Sequence, residues 1–355
     1  MTEQHLILDW KDISPLRGSL IHSDTNILNL YIDDGTHSTN CEAVGNSMEW
    51  KPYLWLQHEK NRLRLLKKLR VIICEGKIPK WLKGLINQTA DTEVEFFELL
   101  LSGSYKFYED AKRLPKQDSI IERDKKTYYS VGTMRFPRLI IAHWLQKNKV
   151  DVGKPKIGNE RLSILRQQIS RIGSYDTSDY EDIENRYFGN LHEDSFKVKQ
   201  SKLFHGHRIA IVSEQPWFDY MENFLCEKFA DPVACKCLPF FIGNGDDNQH
   251  ITRLGFKSYV GFSYDSLQKS NFIERWTALL EDNRVFLLES FYNESIYDMN
   301  RDIIDYNYEH LHNTDWEEKA RLELQQLPQT VKDKIIYRFF SYGSSDNLTI
   351  KEILK

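Results

Sequence analysis

Two short runs, RIAIVS (208–213) and CLPFFIGN (237–244), constrain the fold more than any other feature of the chain. Both are almost continuously apolar, as strands covered on both faces are, and the polar, aromatic segment between them is long enough to hold a helix. That pattern belongs to an α/β fold. Glu214 follows the first run directly and precedes a Pro-Trp-Phe loop, so a buried carboxylate there needs a partner. Glu227 and Lys228 stand side by side where the intervening helix begins. In open α/β sheets ligands bind at the carboxyl ends of the strands, where loops lead into helices.

The 355 residues, 41% hydrophobic and 13% aromatic, are enough for a large core and about two domains. No apolar run reaches the roughly 18 residues of a membrane span, and MTEQHLILDWKDISPL lacks the basic and apolar regions of a secretion signal. A cytoplasmic protein without membrane contact is expected. The five cysteines (Cys41, Cys74, Cys226, Cys235 and Cys237) contain no CxxC pair, which points to free thiols rather than a disulfide framework or a zinc site.

Strand-like runs recur between helix-like segments in both halves. NILNLYIDDG, YLWLQHE and LRVIICEG read as strands ending in acids or glycine, and DTEVEFFELLLSGSYKFYEDAKRL reads as helical. LPKQDSIIERDKK suits a linker, so a boundary is expected near Asp124, giving domains 1–124 and 125–310 and a helical extension 311–355. The second half opens with the strand KTYYSVG and a helix at RLIIAHWLQKN, whose Arg138 in the first turn can form a fork for phosphate.

Charge is uneven beneath a net value of -4. From Glu59 to Gly84 nine Lys or Arg stand against two acids, a surplus of 9 - 2 = +7, while DTSDYEDIE (176–184) holds five acids and no base. The basic run is either a solvated helix face or a polyanion surface that gains affinity by releasing counterions from phosphates. Helical spacing puts Lys60, Arg64 and Lys67 on one side, and Trp55 and Trp81 nearby are core residues or stacking wedges. Asp246 and Asp247 form a solvated turn or, less simply, part of a metal site. The helix start at Glu227 and Lys228 favours an anion such as a diphosphate, while Glu214 and Glu227 can accept hydrogen bonds from sugar hydroxyls.

The segment IAIVSEQPWFDYMENFLCEKFADPVACKCLPFFIGN resembles the donor-site region of α-1,3-fucosyltransferases and their phage-encoded relatives. Glu214, Glu227, Lys228, Pro239 and Gly243 fall on the pattern, and LGFKSYVGFSYDSLQKSNFIERWTALL is similar to the phage-type continuation through Leu254 to Phe256, Tyr264, Asp265 and Arg275. Arg138 falls on the phosphate-binding arginine of the same family. The resemblance covers roughly Lys125 to Asn300. Cys226 stands where Thr is usual, Phe224 replaces a Tyr, Gln215 replaces an Asn, and the loop after Glu214 is longer.

The resemblance implies a metal-independent glycosyltransferase of the GT-B type, two Rossmann-like domains facing a central cleft, with a GDP- or UDP-sugar held by Arg138, Glu214, Glu227, Lys228 and Gly243 in the second domain. It also implies an acceptor base from the first domain, for which Glu59 is the first candidate and Asp33, Asp34 and Glu75 the others. A phage-like motif together with the basic run points to double-stranded DNA carrying a hydroxymethylated base, flipped into the site and held by Lys60, Arg64 and Lys67. The alternatives are transfer to a cell-surface glycan and a non-catalytic DNA-binding protein on a degenerate transferase fold.

Overall fold

The structure, a computed structural model, describes residues 2–8, 21–32, 41–44, 47–73, 80–99, 105–114, 125–129, 141, 144, 145, 147, 148, 204, 206–213, 227–243, 247–268 and 272–333. Its strands are β1 (Glu3–Leu8), β2 (Ile27–Ile32), β3 (Cys41–Val44), β4 (Ser47–Trp50), β5 (Lys68–Ile73), β6 (Glu93–Glu98), β7 (Lys125–Tyr129), β8 (His207–Ser213) and β9 (Leu238–Ile242). The chain divides into two compact units, each an α/β arrangement around a parallel sheet. The first comprises Met1–Glu109, Pro216–Phe224 and Asp315–Lys355, and the second Asp110–Gln215 and Leu225–Thr314.

In the first unit β1, β2, β5 and β6 pair in that order, all parallel, beside a short antiparallel pair β3–β4. Side chains alternate between the two faces of a strand. One face carries Leu28, Leu30, Leu69 and Val71 against Trp55, Leu56, Leu63 and Ile86 from the covering helices. Burying each such side chain contributes about 1.5–3 kcal/mol. The expected strand YLWLQHE is instead the helix Lys51–His58, followed by the turn Lys60–Leu63. Residues 55, 56, 59 and 63 point inward while 57, 58, 60 and 61 are exposed, which is the period of a helix and not of a strand. Trp55 is therefore a core residue, 1% exposed.

The other face carries a polar row. His5, Asn29, Arg70 and Glu95 are successive partners in register across all four strands. Asn29 Nδ2 donates to Glu3 Oε1 at 2.6 Å, Arg70 Nη1 lies 3.3 Å from the same oxygen, and Arg70 Nε donates to Glu95 Oε2 at 3.1 Å. Lys68 adds an ion pair to Glu95 at 2.7 Å and one to Glu93 at 3.5 Å. These cross-strand pairs explain why 93–98, expected as part of a helix, is a strand: EVEFFE alternates with period two and sets its acids opposite the bases of β5. The helix that was expected across 91–114 begins only at Tyr105.

Of the expected extension 311–355, residues from Asp315 onward fall in the first unit, and 334–355 lie outside the described residues. Asp315 caps the helix Trp316–Gln325 by accepting from the Glu318 N–H at 2.8 Å, Trp316 packs on Tyr108 with ring centroids 4.6 Å apart, and Thr330 Oγ1 donates to Glu3 Oε1 at 3.0 Å. The expected boundary near Asp124 lies outside the described residues. The division found is between Glu109 and Asp110.

The second unit has the parallel order β7-β8-β9. Every described residue from Ile209 to Ser213 and from Leu238 to Ile242 is buried, as the continuous apolar runs require. Arg138 itself is not described, but the helix expected after it is present at Ile141, Trp144 and Leu145, all buried. Trp144 Nε1 donates to Glu281 Oε1 at 2.6 Å on the helix Phe272–Asp282. Among the described residues no helix is long and apolar enough to cross a membrane.

Burial opposes ionisation of Glu3, yet hydrogen bonds from Asn29 and Thr330 and the charges of His5 and Arg70 hold its carboxyl below the usual 4.5. Burial likewise opposes ionisation of Glu95, and Lys68 and Arg70 lower it. A depressed folded-state value means both groups stabilise the fold above that usual range and lose the contribution as pH falls through their lower values. Thermal unfolding followed from about pH 6 down to pH 3 will show a drop in midpoint that is shallower in the double variant Glu3→Gln, Glu95→Gln. Equal slopes would contradict the role given to this row.

Candidate functional site

The carboxyl ends of β8 and β9 are built by a strand, helix, strand unit. β8 ends at Ser213, the helix Glu227–Ala234 runs back across the sheet, and β9 ends at Ile242 with the buried Gly243 behind it. A helix joining adjacent parallel strands runs antiparallel to them, so its amino terminus lies on the same side as the strand ends. Glu227 and Lys228 thus stand in the first turn on the carboxyl side, where the helix dipole favours an anion.

The helix closes in a Schellman arrangement: Cys237 N–H donates to Pro232 O at 2.9 Å and Lys236 N–H to Val233 O at 3.0 Å. Lys236 occupies the left-handed position, φ 52°, that glycine usually takes. Its backbone strain is offset by an ion pair to Asp305 at 2.7 Å and by the ring of Tyr308, 4.7 Å from Nζ. This fixes the end of the helix opposite the site.

The segment Lys257–Ser263 has no strand partner among the described residues. Four buried asparagines take the place of one. Asn307 Oδ1 accepts from Lys257 N–H at 2.7 Å and its Nδ2 donates to Lys257 O at 2.8 Å. Asn248 holds Tyr259 in the same two-way fashion at 2.7 Å each, Asn300 holds Val260 at 2.8 Å each, and Asn283 holds Ser263 at 2.8 Å each. A carboxamide presents one acceptor and a pair of donors in a fixed plane, which matches the N–H and C=O of a single residue. Asn283 and Asn300 also donate back to the carbonyls of Leu279 and Ile296, at 2.8 and 2.9 Å, where one helix ends and the next begins.

The clamped segment passes Gly261, φ 93°, where a Cβ would stand 3.2 Å from Ile296 Cδ1, and leads to Tyr264 beside β9. Phe241 N–H donates to Tyr264 Oη at 3.3 Å, and Phe240 packs on Phe262 and Tyr264 with centroids 4.8 and 6.1 Å apart. Asp265 is exposed at the head of the turn Asp265–Gln268, its Oδ2 3.4 Å from Ser263 Oγ. Ser266 and Arg275 behind it are buried, and the Ser266 hydroxyl donates to Asp282. The structure therefore sets Tyr264 against β9 near its carboxyl end, where Gly243 follows the strand, with the helix start at Glu227 and Lys228 on the same side of the sheet.

Arg138, Glu214, Asp33, Asp34, Glu75 and Asp246 lie outside the described residues, and of Glu227 and Trp81 only the backbone is described. Asp247 is buried at the start of the short helix Asp247–His250, and among the described residues no group of three His, Cys, Asp or Glu is arranged to hold a metal.

Glu59 is not at a strand end. It stands at the start of the turn Lys60–Leu63, without a side-chain cap, near the amino ends of β2 and β5: Arg62, 3.7 Å from Glu59 Oε2, donates to Ile21 O at 2.8 Å, and Lys67 N–H donates to Asn26 O at 2.9 Å. Its carboxylate is 3% exposed and lies 2.8 Å from His58 Nδ1. Lys60, Arg64 and Lys67 are exposed at the same edge, opposite the one where α/β sheets bind ligands. They do not share a helix face, because the helical turn ends at Leu63. Of the nine bases in the run, Arg62, Lys68, Arg70 and Lys83 are held by Glu59, Glu93, Glu95, Glu3 and Glu98. The surplus read from the sequence is thus partly neutralised within the fold.

No protein-family model matches the chain, and no curated protein matches it. Among solved structures it is similar to OtsA in its apo form, at 12% identity and TM-score 0.38, over 86% of this chain and 74% of that one. It is also similar to the pneumococcal O-GlcNAc transferase GtfA in complex with UDP and GlcNAc, at 11% identity and TM-score 0.35, over 84% of this chain and 53% of that one, so it spans about half of the latter's length.

Replacing the buried Asn300 removes three hydrogen bonds, two of them to the N–H and C=O of Val260, a residue that is itself exposed. Asn300→Ala is expected to cost about 2 kcal/mol in urea unfolding. A loss below about 1 kcal/mol would show that the clamp contributes little.

Proposed function

We propose that the chain is a glycosyltransferase of GT-B organisation that binds a nucleotide-diphosphate sugar at the carboxyl ends of β8 and β9 and transfers the sugar to an acceptor hydroxyl. The observation that carries this reading is the strand, helix, strand unit of β8 and β9, with the helix start at Glu227 and Lys228 on its carboxyl side and the Tyr264 hydroxyl accepting from Phe241 N–H on β9. These are the positions on which the sequence resembles the donor region of fucosyltransferases and their phage relatives.

In this reading the diphosphate lies against the helix amino terminus with Lys228, and Arg138 supplies a second cation. Charge developing on the leaving diphosphate is met by these groups without a metal. Glu214 and Asp265 accept hydrogen bonds from ribose or sugar hydroxyls. The acceptor base belongs at the carboxyl edge of the first sheet. Asp33 and Asp34, directly after β2, and Glu75, after β5, replace Glu59 as candidates because the strands they follow end at Ile32 and Ile73. Lys228→Ala and Arg138→Ala each remove a charge-assisted contact and are expected to weaken UDP or GDP binding by about tenfold, measured by calorimetry in EDTA. Unchanged affinity in both variants, or binding that appears only with added metal, would overturn the donor site.

The acceptor is a sugar hydroxyl of a glycan or a hydroxymethylated base in DNA. The DNA reading rests on the phage-like motif and on the basic run, whose exposed members Lys60, Arg64 and Lys67 stand at the amino edge of the first sheet. Reversing Lys60, Arg64 and Lys67 to Glu is therefore expected to leave transfer unchanged. A DNA acceptor held by these three would instead lose affinity and salt dependence together. Mass spectrometry of hydroxymethylcytosine DNA and of oligosaccharides, each incubated with a panel of nucleotide sugars, separates the two acceptors.

A further inference from the structure

Each of the four asparagine clamps holds one residue of the Lys257–Ser263 segment, but they stand at different distances from its functional end. Asn283 grips Ser263, the residue immediately before Tyr264 and Asp265, through both backbone groups. Asn307 grips Lys257 at the far end of the segment. Both asparagines are fully buried. Ser263 Oγ also lies 3.4 Å from Asp265 Oδ2, so displacement of Ser263 moves the hydroxyl that contacts this carboxylate.

We propose that Asn283 is a positioning residue for the nucleotide-sugar site: it fixes the backbone from which Tyr264 reaches the edge of β9 and Asp265 presents its carboxylate to ligand hydroxyls. The inference rests on the donor site described under the proposed function. Asn283 itself touches no ligand. It acts through Ser263, whereas Asn307 holds the segment to the helix Arg301–Asn313 without bearing on Tyr264. The residue suits the task because a carboxamide satisfies an N–H and a C=O at once, and an error of one ångström in a supporting contact is enough to weaken a bound ligand substantially.

The test compares Asn283→Ala with Asn307→Ala in the full chain, using UDP and GDP as calorimetric probes and urea unfolding for stability. Both variants lose stability. Asn283→Ala is expected to weaken nucleotide binding by about tenfold, while Asn307→Ala keeps it within about twofold of the parent. Equal loss in both variants, or none in Asn283→Ala, overturns the positioning role while leaving the donor site standing. A parent chain that binds neither nucleotide overturns both. Should Asn283→Ala not fold, amide exchange of the parent chain decides: bound nucleotide is expected to slow exchange at Tyr264, Asp265 and Ser266 and to leave Lys257 unchanged. Absence of that local protection overturns the proposal.

Discussion

The second unit depends on backbone polar groups that find their partners in side chains rather than in a neighbouring strand. An extended segment laid beside a sheet edge must satisfy its N–H and C=O groups, and burying them unpaired costs about 1–3 kcal/mol each. Asn248, Asn283, Asn300 and Asn307 meet that demand for Lys257–Ser263, and all four are buried. The cost of placing four amides in a core is recovered because each is hydrogen-bonded on both its oxygen and its nitrogen. The segment leads into Tyr264, whose hydroxyl accepts from Phe241 N–H on β9, so the placement of Tyr264 follows from the clamps.

The first unit is held differently. Its sheet buries an apolar face in the usual way and carries on the other a row of ion pairs and hydrogen bonds from β1 to β6, extended by Thr330 from the end of the described chain. Half-buried pairs with several hydrogen bonds hold strand register more firmly than isolated surface pairs. The bases that make the stretch 59–84 look like a polyanion surface are partly consumed by this network. A charge count along the chain cannot reveal it, because the neutralising acids come from Glu3 and from β6.

What was legible in the sequence followed from local pattern. The apolar runs of β8 and β9, the helix start at Glu227 and the glycine after β9 are set by burial and by helix-end chemistry, and they stand where the residues place them. Periodicity misled where it was short. YLWLQHE alternates as well as a strand does, but its inward positions continue into Glu59 and Leu63 with helical spacing. EVEFFE was absorbed into a longer helical reading, and only its partners on β5 explain it. The asparagine clamps left a faint trace, the dipeptide Asn-Arg at 283–284 and again at 300–301, each at a junction between helices. Their role depends on contacts 11 to 50 residues away, which no local pattern encodes.

The central claim is that a nucleotide diphosphate occupies the carboxyl ends of β8 and β9. A crystal structure of the chain grown with UDP or GDP tests it most directly. The account predicts density for the diphosphate against the first turn of the helix Glu227–Ala234, with ribose or sugar hydroxyls within hydrogen-bond reach of Asp265. A nucleotide bound elsewhere, or none at millimolar concentration, would contradict it.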